Sequence, residues 1–150
     1  MKKDVYVIVD TSGRMAEKGK GSAEAYVFYA LRHILERYNV NVQSFMWNDT
    51  IQILDENEEI ADFSQRNDTD MLAEMLNEFD EGAAVLLISD GNFYNTGIKR
   101  SVISRNLHFI AVAVGEDVSL DCMDRLCTVG RAFKGEDIGS AADALCFASD

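Results

Sequence analysis

A doubly wound, three-layer α/β/α sandwich, with a mostly parallel sheet and one antiparallel edge strand, is predicted by three observations in this 150-residue sequence. Short apolar runs alternate with segments of helical periodicity in the order βαββαβαβαβα. Two of those runs, Val5 to Val9 and Ala83 to Ser89, lead directly into an acid, Asp10 and Asp90. A polar gap of three residues, Asn48-Asp49-Thr50, separates two further runs and is too short to house a crossover helix. The alternation implies helices on both faces of the sheet, joined by right-handed crossovers.

The first run, Val5-Tyr-Val-Ile-Val9, holds five apolar residues, four of them β-branched, and fits a strand covered on both faces. Ala23, Tyr26, Val27, Ala30, Leu31, Ile34, Leu35 and Tyr38 then recur at the spacing of one helical face. Val40 to Trp47 and Ile51 to Leu54 form the hairpin, with one strand antiparallel at an edge. The acidic stretch Asp55 to Asp62 is expected as a surface loop. Thr69 to Phe79 is a helix with Leu72, Met75, Leu76 and Phe79 on one side. After the strand Ala83 to Ser89 come a short helix from Thr96 to Ser104 and a buried strand from Leu107 to Val114. Leu120 to Cys127 is helical, Arg131 to Phe133 a short strand, and Ile138 to Phe147 the closing helix. The sequence shows no internal repeat, low-complexity tract or linker, and contains no proline.

Residues 1–150 match the commonest size of one domain with one substantial core. Hydrophobic residues make up 47% and charged residues 27%, the balance of a globular chain. No apolar run approaches the roughly 18 residues that span a bilayer, and Met1-Lys2-Lys3 leads into an acid and a strand rather than a signal-peptide core. A cytoplasmic location is expected. With 14 basic against 26 acidic side chains the net charge is −12, which makes nucleic acid and anionic membrane poor partners. Cys122, Cys127 and Cys146 lack a C-x-x-C pair and are expected as small core residues. His33 falls mid-helix and His108 in a strand, so neither readily completes a zinc site. Trp47 is expected in the core, and Phe93 and Tyr94 either as exposed anchors for a partner or as a packed lid.

In open α/β sheets, ligands bind beyond the carboxyl ends of the strands where strand order reverses. An acid and a hydroxyl placed there, Asp10 and Ser12, suit a hard cation such as Mg²⁺. The same residues also serve as ordinary turn formers. A third element, Asn67-Asp68-Thr69-Asp70, offers a hydroxyl at the start of a helix, so three loops are placed to converge on one cation.

Taken together, Asp10-Thr-Ser-Gly-Arg14, Asn67-Asp-Thr-Asp-Met-Leu72, Leu86-Leu-Ile-Ser-Asp-Gly91, Ala113-Val-Gly115 and Arg131-Ala-Phe133 resemble the von Willebrand factor type A domain through nearly the whole chain. That resemblance implies a metal ion-dependent adhesion site of the form Asp-x-Ser-x-Ser, with a Thr and an Asp from later loops. The matching positions are Asp10, Ser12, Arg14, Thr69 and Asp90. It further implies Mg²⁺ or Mn²⁺ held by Asp10, Ser12, Thr69 and Asp90, the last place being filled by a carboxylate of a protein partner.

The departure is Arg14, which stands where the family has its second serine. A guanidinium carries five donors and no lone pair for a metal. At about 5 Å from a dication it would be repelled by roughly 7 kcal/mol at an effective dielectric near 20. Three readings of Arg14 follow: it replaces the metal by pairing with Asp10 or Asp90, it points outward to an acidic partner, or it tolerates a weakened ion.

The resemblance implies a non-enzymatic protein-interaction module, by analogy an accessory factor in a bacterial complex of the AAA+ ATPase, stress-response or defence type. A Mg²⁺-dependent phosphatase of the haloacid dehalogenase type is the alternative from another class. Its Asp-x-Asp nucleophile motif is not matched, because the third residue is Ser12, and Gly19-Lys-Gly21 lacks the spacing of a phosphate-binding loop. A scaffold whose metal site has decayed is the third reading.

Overall fold

The computed structural model describes residues 2–55, 58–60, 63 and 65–147. Strand β1 (Lys3–Asp10) is followed by a 3-10 turn at Gly13–Ala16 and by helix α1 (Lys20–Leu35). The hairpin β2 (Val40–Trp47) and β3 (Ile51–Leu54) comes next, and helix α2 (Thr69–Glu78) leads to β4 (Ala84–Ser89). Helix α3 (Thr96–Ser104), β5 (His108–Ala113), helix α4 (Leu120–Leu126), β6 (Phe133–Lys134) and helix α5 (Ile138–Phe147) complete the order. The acidic stretch expected as a loop falls partly on residues 56, 57, 61 and 62, which lie outside the described residues.

The sheet runs β3-β2-β1-β4-β5-β6. Every described pairing is parallel except β2 with β3, which places the antiparallel strand at the edge as the short polar gap requires. The chain proceeds from β1 to β2 on one side and returns to β4 on the other, so the reversal of strand order lies between β1 and β4. Val9 stands between Met46 and Ile88, which brings the carboxyl ends of these strands level.

Period-two alternation sends successive residues of each strand to opposite faces. Val5, Val7 and Val9 of β1 and Ala84, Leu86 and Ile88 of β4 pack with Val27, Phe28 and Leu31 of α1 and Ala141, Ala142 and Leu145 of α5. Ile8, Val85 and Leu87 face the other way onto Leu72 and Leu76 of α2 and Ile98 and Val102 of α3. Both faces of β1, β4 and β5 are therefore covered, which is why these strands read as unbroken apolar runs.

The buried residues of α1 are Lys20, Glu24, Val27, Phe28, Leu31 and Leu35. This face is rotated from the expected one: Tyr26 is 77% exposed, and Tyr38 lies beyond the helix, which closes in tight turns at Arg37 and Tyr38. Tyr38 instead packs on Phe147 and donates its hydroxyl to Asp143 of α5. The last strand sits two residues later than expected, because only Phe133 and Lys134 find partners, Val112 and Ala113. Trp47 is fully buried, and its indole N–H donates to the Asp68 carbonyl at 3.0 Å, tying β2 to the start of α2. Cys127 is buried, Cys122 and Cys146 are half-buried, and all three are free thiols. His108 is buried in β5, its Nε2 at 2.8 Å from the Ala144 carbonyl.

Truncating the centre of this core and its rim should have unequal effects. Leu86→Ala, at a fully buried position, is expected to lower unfolding free energy by about 2–5 kcal/mol. Ile53→Ser, on the edge strand at 59% exposure, should change it by less than about 0.5 kcal/mol. Urea unfolding followed by circular dichroism checks both.

Candidate functional site

The loop face at the carboxyl ends of β1 and β4 is built around two acids. Asp10 ends β1, Asp90 follows β4, and both are completely buried. Ser89 Oγ donates to Asp10 Oδ2 at 2.6 Å and accepts the Gly91 N–H at 3.1 Å, so the hydroxyl links the two strand ends. Gly91 adopts φ +75, and a Cβ there would lie 2.6 Å from the Ser119 carbonyl oxygen. Only glycine lets this loop pass so close to the start of α4.

After Asp10 the chain tightens into the 3-10 turn, with the Met15 N–H on the Ser12 carbonyl and Met15 itself fully buried as an anchor. The Gly13 N–H donates to the Gln65 carbonyl at 2.9 Å, pinning this loop to the segment before α2. The turn swings Arg14 inward. Its Nε donates to Asp90 Oδ2 at 3.1 Å and its Nη2 to Asp90 Oδ1 at 2.8 Å, a two-pronged grip. The same Nη2 reaches Asp10 Oδ2 at 3.3 Å and Asn67 Oδ1 at 3.1 Å.

A second cation comes from the first residue of α1. Lys20 is completely buried, with its Nζ 2.8 Å from Asp90 Oδ2 and 3.1 Å from Asp117 Oδ1. Gly115, at φ +111, makes room for its stem: a Cβ there would stand 2.7 Å from Lys20 Cδ. Burial works against the ammonium, but the hydrogen bonds to Asp90 and Asp117 outweigh it and hold the Lys20 pKa above the ordinary lysine value. Burial likewise opposes the Asp90 charge, and the Arg14 and Lys20 contacts overcome it, holding the carboxyl well below the usual range.

The acceptor capacity of both acids is taken up, since a carboxylate offers about four lone-pair sites. Asp10 accepts from the Ser12 N–H, Asn67 Nδ2, Ser89 Oγ and Arg14 Nη2. Asp90 accepts from Arg14 Nε and Nη2, Lys20 Nζ and the Asn92 N–H.

The expected ligands therefore divide. Asp10, Ser12 and Asp90 are brought together, with Ser12 Oγ buried and without a hydrogen-bond partner. Thr69 is the first residue of α2, and it is Asn67, two residues earlier, whose amide touches Asp10 and Arg14. Asp68 caps α2 by accepting the Met71 N–H at 2.9 Å. Of the aromatic pair, Phe93 packs edge-on against Trp47 at 5.2 Å, whereas Tyr94 is 78% exposed.

No protein-family model matches the chain, and no curated protein does either. Solved structures do. The aerotolerance-related membrane protein from Bacteroides fragilis, determined with multiple mutations to serine, has a TM-score of 0.68 at 11% identity over 95% of this chain and 96% of that one. A von Willebrand factor type A structure from Catenulispora acidiphila gives 0.63 at 14% identity, covering 96% of this chain and 43% of that one. The chain has the von Willebrand factor type A fold. Proximal thread matrix protein 1 from the mussel byssus, with a zinc-occupied MIDAS motif, gives 0.69 at 10% identity and covers 97% of this chain and 48% of that one. The chain thus spans less than half the length of these last two.

Within this von Willebrand A fold, divalent metal occupies the adhesion motif of a structural neighbour. Among the fully buried side chains described at this face, Ser12 Oγ is an oxygen left without a hydrogen-bond partner, as a ligand would be. The guanidinium of Arg14 spans the two acids, and their acceptor sites are filled by donors. A divalent ion does not fit these residues as they stand. Nor is any helix among the described residues long and apolar enough to cross a membrane.

Glu24, one turn after Lys20, is the residue that the sequence reading passed over most completely. It is fully buried, neither carboxyl oxygen has a hydrogen-bond partner, and burial with the nearby charges of Asp10 and Asp90 pushes its pKa well up. An acid with a raised folded-state pKa stabilises the fold fully below its unfolded value and loses that contribution as pH rises towards the folded value. Glu24→Gln should therefore match the parent near pH 4 and exceed its stability at pH 8, a difference measurable by thermal unfolding across that range.

Proposed function

We propose that the chain is a non-enzymatic protein-interaction module that engages its partner through the loop face around Asp10, Ser12, Arg14, Thr69 and Asp90. The observation that carries this reading is the rigid crosslinking of three loops at the strand-order reversal, where Asn67 bonds both Asp10 and Arg14 while Tyr94 stands out at 78% exposure. Exposed aromatics beside an ordered polar centre make effective anchors for a partner.

Arg14 also supplies a recognition group. Its side chain is 28% exposed, and among the described residues its Nη1 has no protein partner, leaving donors for a partner's carboxylate. That acidic residue takes the role that completes the metal site in the adhesion motif. Magnesium in place of Arg14 would need the guanidinium displaced from both acids. A phosphatase nucleophile at Asp10 is disfavoured on the same geometry, because both of its carboxylate oxygens already accept hydrogen bonds. By the family resemblance alone, the module is placed in a cytoplasmic setting as an accessory factor beside a larger complex, of the AAA+, stress-response or defence type.

Affinity capture from the source cell with paired surface variants tests the reading. A partner retained by the parent should be lost on Tyr94→Ala and kept on Ile103→Ser, an exposed change near the carboxyl end of α3. Loss on Ile103→Ser with retention on Tyr94→Ala would move the interface elsewhere and overturn the assignment.

A further inference from the structure

We propose that Arg14 and Lys20 form a built-in cation pair that takes the place of a divalent ion, so that this loop face is assembled and works without metal. The inference deepens the interaction reading above and rests on it for the role of the face, though not for the chemistry of the site.

The charge count is the first support. An adhesion-type site sets one dication against two carboxylates. Here Asp10 and Asp90 meet two monocations, Arg14 at 2.8 Å from Asp90 and 3.3 Å from Asp10, and Lys20 at 2.8 Å from Asp90. The additional acid Asp117 lies 3.8 Å from Lys18, which provides a third positive charge at the rim. Ionised groups around the centre therefore balance, as they would around a bound dication.

Geometry is the second. Four donors fill the acceptor sites of each carboxylate, and two of the four on Asp10, together with one on Asp90, come from groups fixed in the backbone or in the β4 end: the Ser12 N–H, Ser89 Oγ and the Asn92 N–H. The remaining places go to Asn67, Arg14 and Lys20. A metal would have to displace both the guanidinium and the order it imposes on Asn67. The third support is that the ammonium has a made place: Lys20 is wholly buried, and its stem occupies the space that any side chain at position 115 would fill. Ser12 Oγ, which would ligate a metal, is left without a partner by this arrangement.

Manganese titration of the metal-stripped protein, by calorimetry and by the spin-resonance signal of free Mn²⁺, tests the proposal. The parent should show no saturable binding at millimolar metal. Arg14→Ser, which removes one cation and restores a hydroxyl, should bind Mn²⁺ at least about tenfold more tightly than the parent and gain thermal stability on metal addition. Should that variant fail to fold, the parent alone still decides: the side-chain nitrogen resonances of Arg14 and Lys20 should stay unmoved when Mg²⁺ replaces EDTA. One-to-one Mn²⁺ binding by the parent that is lost in Asp10→Asn, movement of those resonances with Mg²⁺, or a folded Arg14→Ser with no gain in affinity would each overturn the proposal. Running partner capture in EDTA separates the two readings. A partner held only with Mg²⁺ defeats the cation pair and leaves the interaction module standing, while a partner indifferent to Tyr94 defeats the module and leaves the cation pair.

Discussion

Two fully buried carboxylates, side by side where the strand order reverses, are the constraint on which the rest of the loop face depends. Leaving one buried charge without a counter-charge costs about 3–5 kcal/mol, a large share of the roughly 5–15 kcal/mol that holds a typical domain folded. Neutralisation therefore has to come from somewhere, and the structure supplies it from two directions. Arg14 arrives from the 3-10 turn after β1, and Lys20 from the first residue of α1. Features that look incidental in isolation then acquire a reason. The buried Met15 fixes the turn, the Gln65 carbonyl holds Gly13, and Gly115 clears a path for the Lys20 stem. Each restricts where a positive charge can sit.

Much of the architecture was legible in the sequence because apolar periodicity records burial directly. β2, β3, α3 and α5 fall on the boundaries that the pattern predicts, and the three-residue gap marks one strand of the hairpin as antiparallel at an edge, which is β3. The site was only half legible. Asp10 and Asp90 stand out because each interrupts an apolar run, but a charged residue on a helix is read by default as solvent-facing. Lys20 and Glu24 violate that default. The signal that betrays them is their phase: residues 20, 24, 27, 28, 31 and 35 follow one helical face, which places both charges on the buried side with Val27 and Leu31. Weighting Tyr26 as an apolar core residue rotated the face away from them. Asn67 was masked for a different reason, since a hydroxyl at Thr69 is the residue that a metal would need and an amide is the one that a guanidinium needs.

Fold and site chemistry have separated in this protein. The sandwich superposes on structures of 10–14% identity, and one of those neighbours holds zinc in its adhesion motif. Strand ends at a reversal of order will bring loops together whatever those loops carry, so the architecture provides a meeting place rather than a ligand set. What occupies that place is decided by single residues. An arginine in the third motif position changes the chemistry from lone-pair donation to hydrogen-bond donation without disturbing a strand.

Glu24 closes the electrostatic account. Were it ionised, a third buried negative charge would sit near Asp10 and Asp90, with no donor to either of its oxygens. Burial and those two neighbours both oppose ionisation and push its pKa up, so the surroundings that hold Asp90 charged disfavour a charge at Glu24. The i, i+4 spacing puts Lys20 and Glu24 on one buried face of α1, so a single helix delivers both a charge that the site requires and an acid whose ionisation the site disfavours. A loop face whose two buried carboxylates are matched by Arg14 and Lys20 leaves little electrostatic demand for an external ion to meet.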